Sequence, residues 1–295
     1  TAYVKLAGGI DLSGTAYGGV AGGDFSKCLK WEPIGTSASA PFSGDFNGGG
    51  LAVENLFVNQ STGGAGFFSG LAGLDSDPVS VHDFGVASGS VTGLHSVGGI
   101  AGVLSRKQNK AAVTVERCWN NASVAGTGKN SSNETMAGGI AGYALGTITN
   151  CYNTGSITAA ASEAGGIAGS TTSISGYTSV ENCYNTGTVT GSSRVGAING
   201  YHVNEKSPTT NCYYLKGSSS AGFGMNVGTG EATELTDSQL KSWAAAYALN
   251  GGTGAQKVGD LATWRKASSA SENSGYPVLC AAGESMTPAA DWSEV

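Results

Sequence analysis

A repeated five-residue element constrains this chain more than any other feature of its sequence. Gly-Gly-Ile-Ala-Gly at residues 98–102 recurs at 138–142 and 165–169, and as Gly-Ala-Ile-Asn-Gly at 196–200. The copies therefore lie about 30 residues apart, a period typical of stacked repeats. Because no single repeat of this length can bury its own apolar face, the copies must pack on one another.

A second element alternates with the first. Residues 148–157 and 180–189 share Asn-Cys-Tyr-Asn-Thr-Gly, weaker copies lie at 115–119 and 210–213, and 53–57 and 81–85 fit the same template. The runs between them are short, β-branched and interrupted by Gly and Asn, which predicts strands rather than helices. Connections between parallel strands of one sheet are nearly always right-handed. We therefore predict an all-β fold, a right-handed single-stranded parallel β-helix of the pectin-lyase type, with about six or seven coils over residues 1–216.

Alignment of the copies predicts three columns of side chains. Apolar or soft residues at the Cys position are expected to point inward; they are Leu56, Phe84, Cys118, Cys151, Cys183 and Cys212. The preceding residue is expected at a left-handed corner, which Asn tolerates well, and to form an asparagine ladder; the asparagines are Asn55, Asn150, Asn182 and Asn211. The following residue should point outward and form an aromatic stripe; its rings are Trp119, Tyr152, Tyr184 and Tyr213.

The aromatic stripe has two interpretations. Its rings could stack on one another or lie beneath a loop, as large aromatic residues usually do. Alternatively, they could bind a sugar or a protein partner, because flat amphipathic rings bury area at small entropic cost.

The six cysteines do not predict a disulfide framework. Neighbouring thiols in the column should have Cβ atoms near 4.8 Å apart, about the strand spacing and wider than a disulfide prefers. We expect these four cysteines to be reduced and buried. A line of ligands on one face cannot surround a zinc ion, so no metal or other cofactor is expected. Whether Cys28 and Cys280 pair is left open.

The end of the chain differs from the repeats and predicts a small α/β capping segment over residues 217–280. Thr236–Gln239 has the capping-box pattern, and apolar residues at helical spacing follow it. One helix is therefore predicted at about 237–249. Residues 281–295 are interpreted as a linker.

Composition narrows the classes of partner. Only 12% of residues are charged, and the net charge of −6 is spread without any run of Lys or Arg. Nucleic acid is therefore not an expected partner, because phosphates are normally met by clustered cations. No stretch approaches 18 apolar residues, so membrane insertion is not expected either. The oligomeric state is not predicted.

The repeated Gly-Gly-Ile-Ala-Gly and Asn-Cys-Tyr-Asn-Thr-Gly elements resemble those of GLUG-motif domains of bacterial surface proteins. Trp31–Gly35, Pro41–Gly48 and Gly275–Leu279 extend the resemblance over most of residues 4–280. Such domains occur in secreted or wall-anchored bacterial proteins, gut species included, and as a non-catalytic part of some IgA-cleaving metallopeptidases. The resemblance implies a β-helix and a cell-surface or secreted location, and it transfers no catalytic residues.

A non-catalytic role is the favoured interpretation. Polysaccharide-active β-helix enzymes need paired carboxylates or acidic calcium ligands, and no acidic column recurs here. Asp75 and Asp77 lie in a turn-like context, and the three histidines occur singly. We therefore predict an adhesin-type module that binds a host glycan or protein. A passive stalk is the main alternative, and a polysaccharide-active enzyme is the less favoured one.

Overall fold

The structure, a computed structural model, describes residues 2–13, 29–35, 40–73, 77–106, 111–132, 134–172, 178–203, 208–251 and 263–281. Within these ranges the chain is built almost entirely of strands that pair in parallel. The chain visits four sheets in turn and then returns to the first.

The first sheet receives the longest strands. They are β1 (Ala2–Lys5), β2 (Ile10–Asp11), β3 (Gly44–Glu54), β7 (Val79–Val86), β11 (Val113–Asn120), β15 (Thr147–Thr149), β16 (Tyr152–Asn153), β20 (Ser179–Glu181), β21 (Tyr184–Asn185), β25 (Thr209–Leu215) and β27 (Gly230–Leu235). The second sheet contains β4 (Leu56–Asn59), β8 (Gly89–Gly93), β12 (Ser123–Gly126), β17 (Ile157–Ala159) and β22 (Val189–Gly191).

The third and fourth sheets carry the Gly-Gly-Ile-Ala-Gly element. The third contains β5 (Gly64–Ala65), β9 (Ser96–Gly98), β13 (Met136–Gly138), β18 (Glu163–Gly165) and β23 (Val195–Gly196). The fourth contains β6 (Phe68–Ala72), β10 (Ala101–Ser105), β14 (Ala141–Leu145), β19 (Ala168–Thr172), β24 (Asn199–Val203) and β26 (Phe223–Asn226).

The sequence repeats pair in register. Gly138 lies between Gly98 and Gly165, and Gly165 also pairs with Gly196. Each copy of the five-residue element therefore lies directly over the next. This arrangement of parallel strands is consistent with a parallel β-helix.

The core lies between the four sheets, where apolar residues at equivalent positions of successive copies stack. The isoleucine of each five-residue element is completely buried; these residues are Ile100, Ile140, Ile167 and Ile198. The first sheet contributes a second buried column; it consists of Val81, Val115, Ile148 and Val180. Burial of each such side chain stabilises the fold by about 1.5–3 kcal/mol.

The placement of Leu56 in the inward column was wrong. Leu56 is buried, but it pairs with Gly89 in the second sheet, whereas Leu51 is the residue that pairs with Phe84. The register of β3 shifts between Asn47 and Leu51, where three consecutive glycines add length to the strand. Spacing within the template could not show this shift.

The C-terminal part differs in detail from the predicted cap. The capping box at Thr236 is present, but two short helices replace the single predicted one; they are α1 (Asp237–Leu240) and α2 (Trp243–Leu249). The Ser242 hydroxyl caps the second helix by accepting from the backbone N–H of Ala245 (3.4 Å), which separates the two helices. An antiparallel pair follows, formed by β28 (Trp264–Arg265) and β29 (Val278–Leu279).

Two other features concern the ends of the predicted domains. Strands β26 and β27 continue the parallel sheets beyond residue 216. The linker predicted from residue 281 onward lies outside the described residues, apart from residue 281 itself.

Among the helices that the structure describes, none is long and apolar enough to cross a lipid bilayer.

Candidate functional site

The four predicted column cysteines lie one above another inside the protein. Cys118 pairs with Phe84, and the residues that follow the cysteines pair in the order Trp119, Tyr152, Tyr184, Tyr213. All four thiols are buried and reduced. The backbone N–H of Cys118 donates to the Sγ of Cys151 (3.4 Å), and Cys151 repeats this contact with Cys183.

Each thiol also has a backbone acceptor. The Sγ of Cys118 donates to the carbonyl of Glu116 (3.2 Å), and that of Cys212 donates to the carbonyl of Thr210 (3.3 Å). Burial raises the pKa of the Cys151 and Cys212 thiols well above the ordinary value. A thiol held protonated in this way is a poor nucleophile and a poor metal ligand. Burial also acts to raise the pKa of the Cys183 thiol, but hydrogen bonds from Cys151 and Cys212 outweigh it and lower that pKa. Because all four sulfur atoms are buried, away from any substrate or metal ion in solvent, the column is structural.

The residues before the column cysteines adopt the predicted left-handed conformation. Asp83, Arg117, Asn150, Asn182 and Asn211 all have φ between 51° and 53°. The predicted ladder between their side chains is short, because only Asn211 donates to its neighbour Asn182 (3.1 Å) among the asparagines.

Asn55 also has a positive φ, 59°, but it occupies a different corner from the other asparagines. Its backbone N–H donates to the Oγ of Ser88 (2.8 Å) and its side chain donates to Asp11 (2.8 Å). Its assignment to the common corner column was therefore wrong, for the same reason as that of Leu56.

A continuous asparagine ladder exists two positions after the cysteines, where sequence reasoning missed it. Asn120, Asn153 and Asn185 are completely buried. The side-chain amide of Asn120 donates to the Oδ1 of Asn153 (2.8 Å), and that of Asn153 donates to the Oδ1 of Asn185 (2.8 Å). The recurrence of Asn two positions after three of the four cysteines was the sequence signal for it.

The buried ladder explains why the two repeated elements occur together. A Cβ on Gly139 would lie 2.4 Å from the Cγ of Asn153, and a Cβ on Gly166 would lie 2.3 Å from the Cγ of Asn185. The second glycine of each element thus leaves room for an asparagine. The fourth copy has Ala197 at this position, in the coil where Tyr214 pairs with Asn185 and the ladder ends.

The aromatic stripe, consisting of Trp119, Tyr152, Tyr184 and Tyr213, points away from the cysteine column but is largely covered. Tyr152 and Tyr184 stack with ring centroids 5.1 Å apart, and Trp119 stacks on Tyr152 at 5.9 Å. Tyr184 is 0% exposed and Tyr152 is 6% exposed. Trp119 and Tyr213 are partly buried against the same cluster. The rings therefore do not form an open platform.

The C-terminal segment, which comprises residues 237–251 and 263–281, covers the stripe. The ring of Trp264 lies 5.5 Å from that of Tyr184, and its indole N–H donates to the Oδ1 of Asn150 (3.2 Å). The Tyr184 hydroxyl donates to the carbonyl of Pro277 (2.7 Å) and accepts from Asn273 (2.6 Å). Burial raises the pKa of the Tyr184 hydroxyl well above its ordinary value. These contacts fasten the segment to the stripe.

A cavity of about 400 Å³ opens where the stripe ends at Trp119. We call it the cap cavity, because strands of the first sheet form one wall and the C-terminal segment forms the other. It is lined by Lys5, Leu6, Asn47, Gly49, Gly50, Asp83, Arg117, Trp119, Arg265, Leu279, Cys280 and Ala281. Its size lies within the range of pockets that hold small ligands.

A chain of polar contacts forms one wall of the cap cavity. The Nε of Arg117 donates to Asp83 (2.6 Å), and a second guanidinium nitrogen donates to the carbonyl of Cys280. The other oxygen of Asp83 contacts the Nδ1 of His82 (2.9 Å), whose Nε2 contacts Asp45 (3.2 Å). Although burial raises the pKa of Asp83, these hydrogen bonds hold it below its ordinary value.

Arg265 is fixed on the opposite wall. It contacts both carboxylate oxygens of Glu272 at 2.6 and 3.0 Å. Hydrogen bonds from Arg265 are the main reason why the pKa of Glu272 falls to about 2. The guanidinium groups of Arg117 and Arg265 are therefore each held in place by a carboxylate.

The other residues considered as catalytic or metal-binding candidates lie away from the cap cavity or outside the described residues. His202 is buried against Thr171, and His95 contacts Ser96. Within the described ranges, no group of three His, Cys, Asp or Glu residues could hold a metal ion. Cys28 and Asp75 lie outside those ranges.

Comparison with known proteins finds one family match and one structural likeness. No curated protein matches the chain. The crystal structure of a "putative immunoglobulin A1 protease" from Bacteroides ovatus is similar with a TM-score of 0.54 and 18% identity, over 94% of this chain and 85% of that one. At this identity the likeness concerns the fold alone. Residues 133–158, which contain one copy of each repeated element, match the model described as the GLUG motif. The chain therefore carries a GLUG motif, as its repeated elements predicted.

Proposed function

We propose that this chain is a non-catalytic binding module of a bacterial surface or secreted protein, with the cap cavity as its binding site. In this proposal the parallel sheets form a right-handed single-stranded β-helix, a pectin-lyase-like solenoid. The GLUG motif and the likeness of fold support the extracellular, cell-surface location.

The cap cavity is the observation that carries the proposal. Its walls come from segments far apart in the chain, including Lys5, Trp119 and Arg265. A passive stalk needs no such cavity, whereas binding sites are typically concave and carry a few fixed polar groups. Tyr152 and Tyr184 of the stripe, in contrast, are covered and contribute stability, whereas Trp119 at its end lines the cavity.

The arrangement of the acids around Asp83, which lines the cavity, favours binding over catalysis. Glycoside hydrolysis needs two carboxylates that face a substrate across a gap. The carboxylates of Asp45 and Asp83 lie on either side of His82, and the imidazole contacts both of them. The gap between them is therefore filled by a side chain of the protein.

A cavity-filling variant tests the proposal. Ala281 lines the cap cavity, so Ala281→Trp should block it, whereas the exposed Ala160 lies in the second-sheet region and Ala160→Trp is the matched control. We expect the intact chain to bind a ligand on an array of glycans and extracellular proteins. Binding should fall at least tenfold in Ala281→Trp and stay unchanged in Ala160→Trp.

Three results would contradict this function. An array without any ligand would favour the stalk, and binding that survives Ala281→Trp would place the site elsewhere. Release of reducing sugar from a uronate polysaccharide would show that the module is an enzyme after all.

A further inference from the structure

We propose that the cap cavity binds an anionic sugar, a saccharide unit with a carboxylate or sulfate group. This inference rests on the proposed function and specifies the ligand class. It follows from the charge, the shape and the mixed chemistry of the cavity walls.

Charge is the first argument. Lys and Arg make up only 15 of 295 residues, yet Lys5, Arg117 and Arg265 all line this cavity. Asp83 is the only acidic residue among the lining residues. The basic residues of the lining thus outnumber its one carboxylate, although the whole chain has a net charge of −6. This local excess of basic residues favours an anionic group in the cavity.

Lys5 provides the charge that is free for a ligand. Arg117 is paired with Asp83, and Arg265 is paired with Glu272. Lys5, at the end of β1, is exposed and has no acidic partner within the part of the chain that the structure describes. The carboxylate partners hold the two guanidinium groups in fixed positions. The arginines can therefore orient a bound anion with little further loss of side-chain entropy.

The other lining residues argue for a sugar rather than a simple anion. The ring of Trp119 ends the stripe, and Leu6 and Leu279 add apolar surface beside it. Saccharides present C–H faces that pack on aromatic rings, together with hydroxyl groups that need donors and acceptors. Asn47 and Asp83 supply polar atoms to the same cavity. A volume of about 400 Å³ suits one or two sugar units.

Gly85 explains why the stripe stops and the cavity begins at this coil. Gly85 pairs with Trp119, and a Cβ at Gly85 would lie 2.0 Å from the indole ring. The next ring of the stripe is therefore missing, and the indole lies over the glycine. The stack thus ends on an aromatic group that belongs to the cavity wall.

Calorimetry on the full chain tests the inference with defined sugars. The anionic probes are galacturonic acid and N-acetylglucosamine 6-sulfate, which separate carboxylate from sulfate. Galactose and N-acetylglucosamine are their respective uncharged counterparts. We expect at least one anionic probe to bind about tenfold more tightly than its counterpart. The preference should weaken as salt rises from 50 to 500 mM.

Lys5→Glu is the matching variant, because its side chain is exposed and the change should not disturb the fold. Affinity for the anionic probe should fall at least fivefold. Lys216→Glu changes an exposed lysine that does not line the cavity and should leave the affinity unchanged. Trp119→Phe, which keeps a ring on Tyr152, should weaken binding of both kinds of sugar.

The outcomes separate this inference from the function on which it rests. Equal affinity for charged and uncharged sugars, or full affinity in Lys5→Glu, would overturn the anionic ligand. The array could instead identify a neutral glycan or a protein as the ligand. If Ala281→Trp abolishes that binding, the binding function stands and this inference is wrong. If neither assay finds a ligand, both are wrong.

Discussion

Asn153 shows how much a single residue contributes to this fold. It donates to the carbonyl of Gly155 and to Asn185, both at 2.8 Å, and it accepts from Asn120. A buried amide without partners costs several kcal/mol, so a position like this one tolerates only a residue that satisfies every group around it. The repeated elements therefore reflect polar satisfaction as much as apolar packing.

Asn153→Ala should lower the free energy of unfolding by about 2–4 kcal/mol, because it leaves buried partners unsatisfied. Urea unfolding followed by circular dichroism measures the change. Asn121→Ala, at an exposed neighbouring position, is the control and should change stability by less than about 0.5 kcal/mol. Equal losses of unfolding free energy in both variants would show that the buried ladder contributes no more to stability than an exposed asparagine does.

His202 differs in residue type from the residues at the equivalent position of the other strands in the fourth sheet. The equivalent positions in earlier coils are Leu71, Leu104, Ala144 and Thr171. The Nε2 of His202 is buried and has no hydrogen-bond partner among the described residues, and burial lowers the pKa of this imidazole below 6.5. The folded state thus resists protonation of this side chain.

His202→Leu should therefore raise stability by about 1 kcal/mol at pH 7.5, since it removes an unsatisfied buried nitrogen. The sign of the pH effect follows from the lowered pKa: below pH 6.5 the unfolded chain binds the proton more readily, and the natural protein loses stability. The advantage of the variant should grow between pH 7 and pH 5 in thermal unfolding. A constant difference across this range would contradict the burial argument.

At the scale of elements, the C-terminal segment is attached through side chains rather than through strand pairing with the main sheets. β28 and β29 pair only with each other among the described strands. The segment is held by Trp264 and Tyr276 in the cluster over the stripe, and by the contact of Arg117 with Cys280. Its internal geometry depends on the pair of Arg265 and Glu272.

Acid should loosen this segment first. The pKa of Glu272 is about 2 in the folded protein against 4.5 ordinarily. Its contribution is therefore complete above about pH 4.5 and is lost as the pH falls toward 2. After allowance for solvent screening, that contribution is on the order of 1 kcal/mol.

Tryptophan emission during urea unfolding at several pH values measures the effect. Glu272→Gln should lower stability at pH 7 and converge with the natural protein near pH 2. Glu231→Gln removes an exposed carboxyl group and is the control. A difference between Glu272→Gln and the natural protein that persists unchanged at pH 2 would exclude this ion pair as its cause.

At the scale of the whole molecule, stability is distributed along the stack. Strands β10 and β14 are paired on both sides, whereas β1 and β26 at the ends each pair with one of the described strands. Stacked repeats unfold from their ends, because the terminal copies lack one neighbour. The exposed side chains of Tyr3 and Met225 lie on these two end strands.

Hydrogen exchange followed by mass spectrometry should show this gradient. We expect peptides from β10 and β14 to exchange at least tenfold more slowly than those from β1 and β26. The measurement requires no variant. Because β10, β14 and β26 belong to the same sheet, their protection factors can be compared directly within one protein. Uniform protection along the chain would mean that the stack opens as one cooperative unit.

The sequence by itself determined the periodic features of this protein. The two repeated elements predicted parallel pairing in register, a buried column of thiols and left-handed corners at Asn150, Asn182 and Asn211. Each of these features depends either on local backbone conformation or on contacts between equivalent residues of successive copies. The repeat period is therefore enough to predict them.

The tertiary structure alone decided what is not periodic. The glycines before Leu51 shift one strand and displace Leu56, and a segment about 90 residues away covers Tyr184. Arg117 meets Cys280, 163 residues later, to close the cap cavity. Such contacts depend on how distant segments pack against each other, and no repeat in the sequence encodes that choice.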